Sequence, residues 1–242
     1  MAGKLYAIGT GPGASDLITV RAARLLETLD VLYAPAGKKG GDSLALSIVR
    51  EYLGEQVVIE ERHFPMTADA GEKQAVWDQV AADIEQDVQA GKQVGFVTLG
   101  DSMLFSTWVF LLERLQGKVL ADGSPLDMEM IPGISSYSCI ASAAQFPLAM
   151  EQQSMAVMSC TAEPDVLSAA LQNHECVVLM KVYGRFNQIR SLLAELGLLK
   201  HAVLMANASM ATEITYRDLA SVDEQAKLPY FSTIVVNRAW NA

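Results

Sequence analysis

The residues best able to do chemistry in this chain lie in three small-residue segments. These are Gly9-Thr10-Gly11-Pro12-Gly13, Gly100-Asp101-Ser102 and Pro132-Gly133-Ile134-Ser135-Ser136. Each follows a short apolar run of strand character, and small residues at strand ends let a ligand approach the backbone. Asp101, at the end of an apolar strand, is placed to accept hydrogen bonds from a ribose or an amino group. The same residue also suits an N-cap for a helix beginning near Phe105. The amides that open a helix after Ser135 favour a carboxylate or another electron-rich group, or Ser135 simply caps that helix. The first segment departs from the dinucleotide fingerprint: position 14 is Ala14, Pro12 removes an amide donor, and Asp30 precedes the second strand instead of closing it. A tight turn without a ligand, or a close backbone approach to a substrate or cofactor, fits it better.

Other chemistries find less support. His63, His174 and His201 are scattered outside ligand spacings, so no metal site is expected, and no Gly-x-Ser-x-Gly elbow points to a hydrolase. Cys139, Cys160 and Cys176 form no Cys-x-x-Cys pair and are odd in number, which predicts buried reduced thiols. Lys38 and Lys39, with Arg62, His63, Lys181 and Arg185, are either solvated surface charges or cations for substrate carboxylates. Met180 follows an apolar strand and by residue type suits a core.

The elements that must hold these loops alternate. Strands are predicted at 4–8, 31–34, 56–60, 94–99 and 126–131, and helices at 17–28, 43–52, 70–90, 105–115 and 135–144. After Pro147 the pattern restarts, with strands at 154–159, 175–181, 202–206 and 230–237 and helices at 165–172 and 186–196. The segment between the last two strands reads as a polar loop. Alternating strands and helices predict an α/β protein with mainly parallel sheets. We expect two α/β domains, residues 1–148 and 152–242, with an active-site cleft between them.

Half of the 242 residues are hydrophobic, enough for a folded core. A net charge of −10 argues against nucleic acid as a partner while leaving room for a local basic cluster. No run reaches the roughly 18 apolar residues of a membrane span. A soluble, cytoplasmic protein without membrane partners is expected.

Taken together, Gly9-x-Gly11-Pro12-Gly13 with Asp16-Leu17-Ile18-Thr19-x-x-Ala22, Gly100-Asp101-Ser102 and Pro132-Gly133-Ile134-Ser135-Ser136 resemble the tetrapyrrole methyltransferase family of the cobalamin and sirohaem pathways. The resemblance covers nearly the whole chain; Ser102 stands where the family usually has proline. Phe105-Ser106-Thr107, Tyr33-Ala34-Pro35 and Pro229-Tyr230-Phe231-Ser232 resemble the branch that methylates C20 of precorrin-2 or cobalt-factor II.

The resemblance implies S-adenosylmethionine as cofactor, leaving S-adenosylhomocysteine. Pro12, Leu99, Gly100, Asp101, Leu104, Ser135 and Ser136 would line it, with Met180 and Ala208 from the second half and Ser232 by the loosest match. It also implies a polycarboxylate tetrapyrrole as substrate and a homodimer. Lys38, Lys39, Arg62 and Arg185 are the candidates for the substrate's carboxylates, and no catalytic base is named. Methylation of another tetrapyrrole position, or diphthine synthesis, are the sister readings. A non-catalytic nucleotide-binding module and a dehydrogenase are the readings from other classes.

Overall fold

The computed structural model describes residues 3–37, 42–64, 70–223 and 225–241. The chain divides into two units, Met1–Ser135 and Ser136–Ala242.

The first unit is a parallel sheet between two helical layers. Its strands are β1 (Lys4–Gly9), β2 (Val31–Ala36), β3 (Val58–His63), β4 (Gln93–Thr98) and β5 (Met128–Ile131), in the order β3-β2-β4-β1-β5. All four pairings are parallel. Helices α1 (Val20–Leu26) and α2 (Leu44–Val49) pack Ala22, Leu26, Leu46 and Val49 against Ile8, Leu32 and Val97 on one face. Helices α3 (Ala70–Gln89) and α4 (Trp108–Leu115) pack Trp77, Ile84, Trp108 and Leu111 against Leu5, Tyr33 and Phe96 on the other. With both faces covered, alternation of polar and apolar residues disappears, which is why Val94 to Thr98 is buried throughout. Aromatic contacts reinforce the second layer, with Phe64 stacked on Trp77 at 4.1 Å between ring centres.

The strand order creates a switch point. From β1 the chain passes β4 to reach β2, whereas from β4 it passes β1 to reach β5. The loops leaving these two neighbours therefore diverge toward opposite helical layers. In open α/β sheets the carboxyl ends at such a point open into a crevice where ligands bind.

The second unit contains α5 (Ser136–Ala143), β6 (Met155–Ser159), α6 (Pro164–Asn173), β7 (Cys176–Met180), α7 (Phe186–Glu195), β8 (Ala202–Ala206), β9 (Ile214–Tyr216) and β10 (Ser232–Asn237). The sheet order is β6-β7-β10-β8-β9. Helices α6 and α7 cover one face through Leu171, Phe186 and Leu193. Helix α5 and Phe146 cover the other, against Val178, Val203 and Val235.

Three expectations change here. The second sheet is mixed, not mainly parallel: only β6 and β7 run parallel, and β10 is antiparallel to both β7 and β8. The chain reverses between β8 and β9 and keeps that direction in β10, which therefore enters between β7 and β8 antiparallel to both. The supposed polar loop also contains β9, which pairs antiparallel with β8. Helix α5, assigned from sequence to the first half, belongs to the second unit. Ile140, Ala144 and Phe146 bury there, and the Asn237 side chain donates to the Pro147 carbonyl at 2.9 Å.

Among the described residues, no helix is long and apolar enough to cross a membrane.

Candidate functional site

The carboxyl ends of β4, β1 and β5 meet in one interlocked group of loops. Gly11 and Gly100 form an isolated antiparallel bridge, with Gly11 N donating to Gly100 O at 3.2 Å and Gly100 N to Gly11 O at 2.8 Å. Just below, Thr10 donates from its amide and hydroxyl to the Thr98 carbonyl, at 2.9 and 3.2 Å. The loops after β1 and β4 are thus laced to each other before either turns into its helix.

Gly133 adds the third loop. A Cβ on Gly133 would stand 2.0 Å from the Gly100 carbonyl oxygen and 2.8 Å from Gly9 C, so three backbones meet where no side chain fits. Gly100 has a different need. Its φ of +73° lies in the left-handed region, and a Cβ there would meet nothing within 4 Å. The backbone at Gly100 is therefore bare on its outer side, the surface a ligand needs for close approach.

Asp101 holds this arrangement. Its Oδ1 accepts from Met103 N at 2.9 Å and its Oδ2 from Gly133 N at 3.0 Å. The carboxylate ties the β4 loop to the β5 loop and folds its own loop into a tight turn. The N-cap role anticipated from sequence does not form. Helix α4 begins only at Trp108, where Ser106 Oγ accepts from Trp108 N at 3.0 Å, and both Asp101 oxygens are engaged by backbone amides. The Ser106 hydroxyl also bonds the Thr98 hydroxyl at 3.0 Å, anchoring the segment to the end of β4. Ser102 is fully buried, and among the described residues its hydroxyl is one of three buried side-chain polar atoms without a partner. Such atoms cost free energy until a ligand or water satisfies them.

The other expected residues separate by unit. Pro12, Leu99, Gly100, Asp101, Leu104 and Ser135 belong to the first unit, with Pro12 buried and Leu99 and Leu104 half-buried. Ser136, Met180 and Ala208 belong to the second, where Met180 ends β7 and Ala208 follows β8 in a loop whose Asn207 and Ser209 both take positive φ. Arg62 is tied down: it pairs with Glu60 at 3.2 Å and Asp83 at 3.1 Å and lies over the Tyr33 ring. Tyr33 itself donates to Asp87 at 2.8 Å, and burial and that bond raise its phenol well above the usual range. Arg185 donates to the Ala162 carbonyl at 2.8 Å, which leaves the rest of its donor fork for another acceptor. Lys38 and Lys39 lie outside the described residues. Sequence reasoning missed the Gly11–Gly100 bridge, the Asp101 tie and the orphaned Ser102 hydroxyl. The signal for the first was present in two glycine turns after neighbouring strands, but strand adjacency is a tertiary fact.

Comparisons with known proteins agree with this fold. Residues 4–222 match the family model described as Tetrapyrrole (Corrin/Porphyrin) Methylases. The chain is 58% identical over 240 residues to a cobalt-precorrin-2 C(20)-methyltransferase of Salmonella typhimurium, covering 99% of this chain and 98% of that one. It is 30% identical to a precorrin-2 C(20)-methyltransferase of Sinorhizobium sp, over 97% and 95% of the two chains. Among solved structures, a cobalt precorrin-4 methyltransferase superposes with a TM-score of 0.73 at 22% identity, over 98% and 95%. The uroporphyrin-III C-methyltransferase of Thermus thermophilus with bound S-adenosylhomocysteine gives 0.67 at 21%, over 97% and 92%. At those identities the two structures speak to the fold alone. With a family model spanning most of its length and a full-length relative at 58% identity, this chain belongs to the tetrapyrrole (corrin/porphyrin) methylase family.

Proposed function

We propose that this protein transfers a methyl group from S-adenosylmethionine to C20 of precorrin-2 or cobalt-factor II in corrin ring biosynthesis. The observation that carries this reading is the 58% identity, over essentially its whole length, to the Salmonella cobalt-precorrin-2 C(20)-methyltransferase. The switch-point loops suit the cofactor: Gly100 presents bare backbone and Ser102 an unspent hydroxyl. Pro12, Leu99, Gly100, Asp101 and Leu104 would hold it in the first unit, and Ser135, Ser136, Met180 and Ala208 are its further contacts.

When bound, S-adenosylmethionine supplies a methyl group already activated by the sulfonium. The work left to the chain is positioning. Holding two reactants in line is worth about 7–11 kcal/mol of barrier. Asp101 contributes by fixing the loop geometry, each carboxylate oxygen accepting one backbone amide and keeping a lone pair for a ligand donor. The acceptor carbon of a reduced tetrapyrrole is electron-rich, so the reaction does not demand a strong dedicated base, and none is assigned. Cobalt, where present, belongs to the substrate. Arg185, Lys38 and Lys39 are the proposed partners of the substrate carboxylates; Arg62 serves them less well because two acids already neutralise it. The protein would act in the cytoplasm as a homodimer.

The test is a methyl-transfer assay with ¹³C-labelled methyl donor on metal-free precorrin-2 and on cobalt-factor II in parallel. A label resolved by NMR at C20 of either acceptor is expected. Label at another ring position, or none despite tight S-adenosylhomocysteine binding, overturns the assignment. Sedimentation equilibrium at twice the 26.1 kDa chain mass tests the dimer.

A further inference from the structure

We infer that the exposed aromatic patch of Tyr183, Tyr230 and Phe231 is the surface on which the second unit receives the macrocycle of the tetrapyrrole acceptor. The inference rests on the methyltransferase reading above.

The three rings adjoin in a row. Tyr183 and Tyr230 lie 4.8 Å apart between centres, and Tyr230 and Phe231 5.0 Å. All three stay exposed, at 44%, 44% and 39%. Single exposed apolar residues need no explanation, but a contiguous aromatic cluster marks a binding surface. The rings are inclined to one another, by 47° between Tyr183 and Tyr230 and 88° between Tyr230 and Phe231, so they offer ring faces and edges in turn.

The chain spends local structure on presenting them. Lys181 follows β7 with φ of +61°, a conformation disfavoured for a residue with a side chain. That turn leads into a 3-10 turn at Val182–Gly184, where fully buried Val182 faces the core and its neighbour Tyr183 faces out. On the other side, Ser232 Oγ donates to the Pro229 carbonyl at 2.7 Å, closing the turn that carries Tyr230 and Phe231. Asn207 N donates to the Phe231 carbonyl at 2.9 Å. Thr233 pairs with Met180 and Ser232 with Ala206, so the patch sits at the carboxyl edge of β7 and β8. That is the edge bearing Met180 and, just after β8, Ala208. Rings held this way lose little freedom on binding a rigid ligand.

The charge beside the patch fits a polycarboxylate. Lys181 and Arg185 flank Tyr183 within two residues, in a chain whose net charge is −10. Aromatic rings for a conjugated ring system and cations for its peripheral acids are the two features that a carboxylated macrocycle requires of its binding surface.

The test compares the wild type, Tyr183→Ala with Tyr230→Ala, and Tyr183→Phe with Tyr230→Phe. Cobalt-factor II binding is read by absorbance titration, S-adenosylhomocysteine binding by calorimetry and mass by sedimentation. The alanine pair is expected to weaken cobalt-factor II at least tenfold, with cofactor affinity within twofold and mass unchanged. The phenylalanine pair keeps the ring faces and is expected to bind the macrocycle within twofold of wild type. Both positions are exposed, so truncation opens no cavity, and thermal unfolding checks the fold. A wild type that binds the macrocycle while the alanine pair binds it equally well overturns this inference alone. So does a tenfold loss of cofactor affinity, which would make the patch an adenine site, or a fall to monomer mass, which would make it a subunit contact. A wild type that binds no tetrapyrrole overturns this inference and the proposed function together.

Discussion

Replacing Asp101 by alanine separates a structural tie from a direct ligand contact. Both carboxylate oxygens accept backbone amides, from Met103 at 2.9 Å and Gly133 at 3.0 Å. Hydrogen bonds to a charged group contribute about 1.5–3 kcal/mol each. Asp101 is half-buried, so water recovers part of the loss, and Asp101→Ala should destabilise the protein by about 2–4 kcal/mol. For a unit of this size that is a fall of roughly 10 °C in Tm. The Gly133 and Gly100 backbones would then shift relative to each other, and S-adenosylhomocysteine affinity should fall at least about tenfold, or 1.4 kcal/mol. Asp101→Asn keeps one acceptor oxygen but turns an NH2 toward a second backbone donor, so its loss should approach that of alanine. Urea unfolding without ligand and calorimetry with S-adenosylhomocysteine are the assays. An unfolding midpoint unchanged in Asp101→Ala, together with a large loss of affinity, would refute the tie and restore the direct contact first expected.

Three further outcomes are expected. Gly133→Ala must push its Cβ into the Gly100 carbonyl and should cost on the order of 3 kcal/mol, whereas Gly100→Ala meets only backbone strain of about 1–2 kcal/mol; equal unfolding midpoints for the two would contradict the packing described. Burial pushes the Cys160 thiol up to about 12 and the Cys176 thiol up to about 11, leaving roughly one thiolate in ten thousand and one in a thousand at pH 8. Iodoacetamide at that pH should therefore modify half-buried Cys139 first and the other two only in denaturant, as mass spectrometry would show. Charge reversal at Lys38 and Lys39 should raise the KM for the tetrapyrrole more than it changes cofactor affinity, and equal effects on both would count against a basic rim.

The sequence by itself determined much of the local structure. Apolar runs such as Val94 to Thr98 and Cys176 to Met180 declare strands covered on both faces, because no polar residue interrupts them. Ser43 stands before an apolar run and caps α2, whereas the helix expected at 17–28 begins only at Val20, where Thr19 caps it. The glycine-bearing loops, and with them the family, were legible because close backbone approach admits few residue types. Tertiary structure alone decided which strands became neighbours. Nothing local in Gly11 or Gly100 says that β1 and β4 lie side by side, yet that adjacency makes the bridge and lets Asp101 reach Gly133 across thirty-two positions. The reversal of β10 and the allegiance of α5 to the second unit were hidden for the same reason. Strand direction and helix docking depend on which apolar faces meet, and an apolar face carries no label naming its partner.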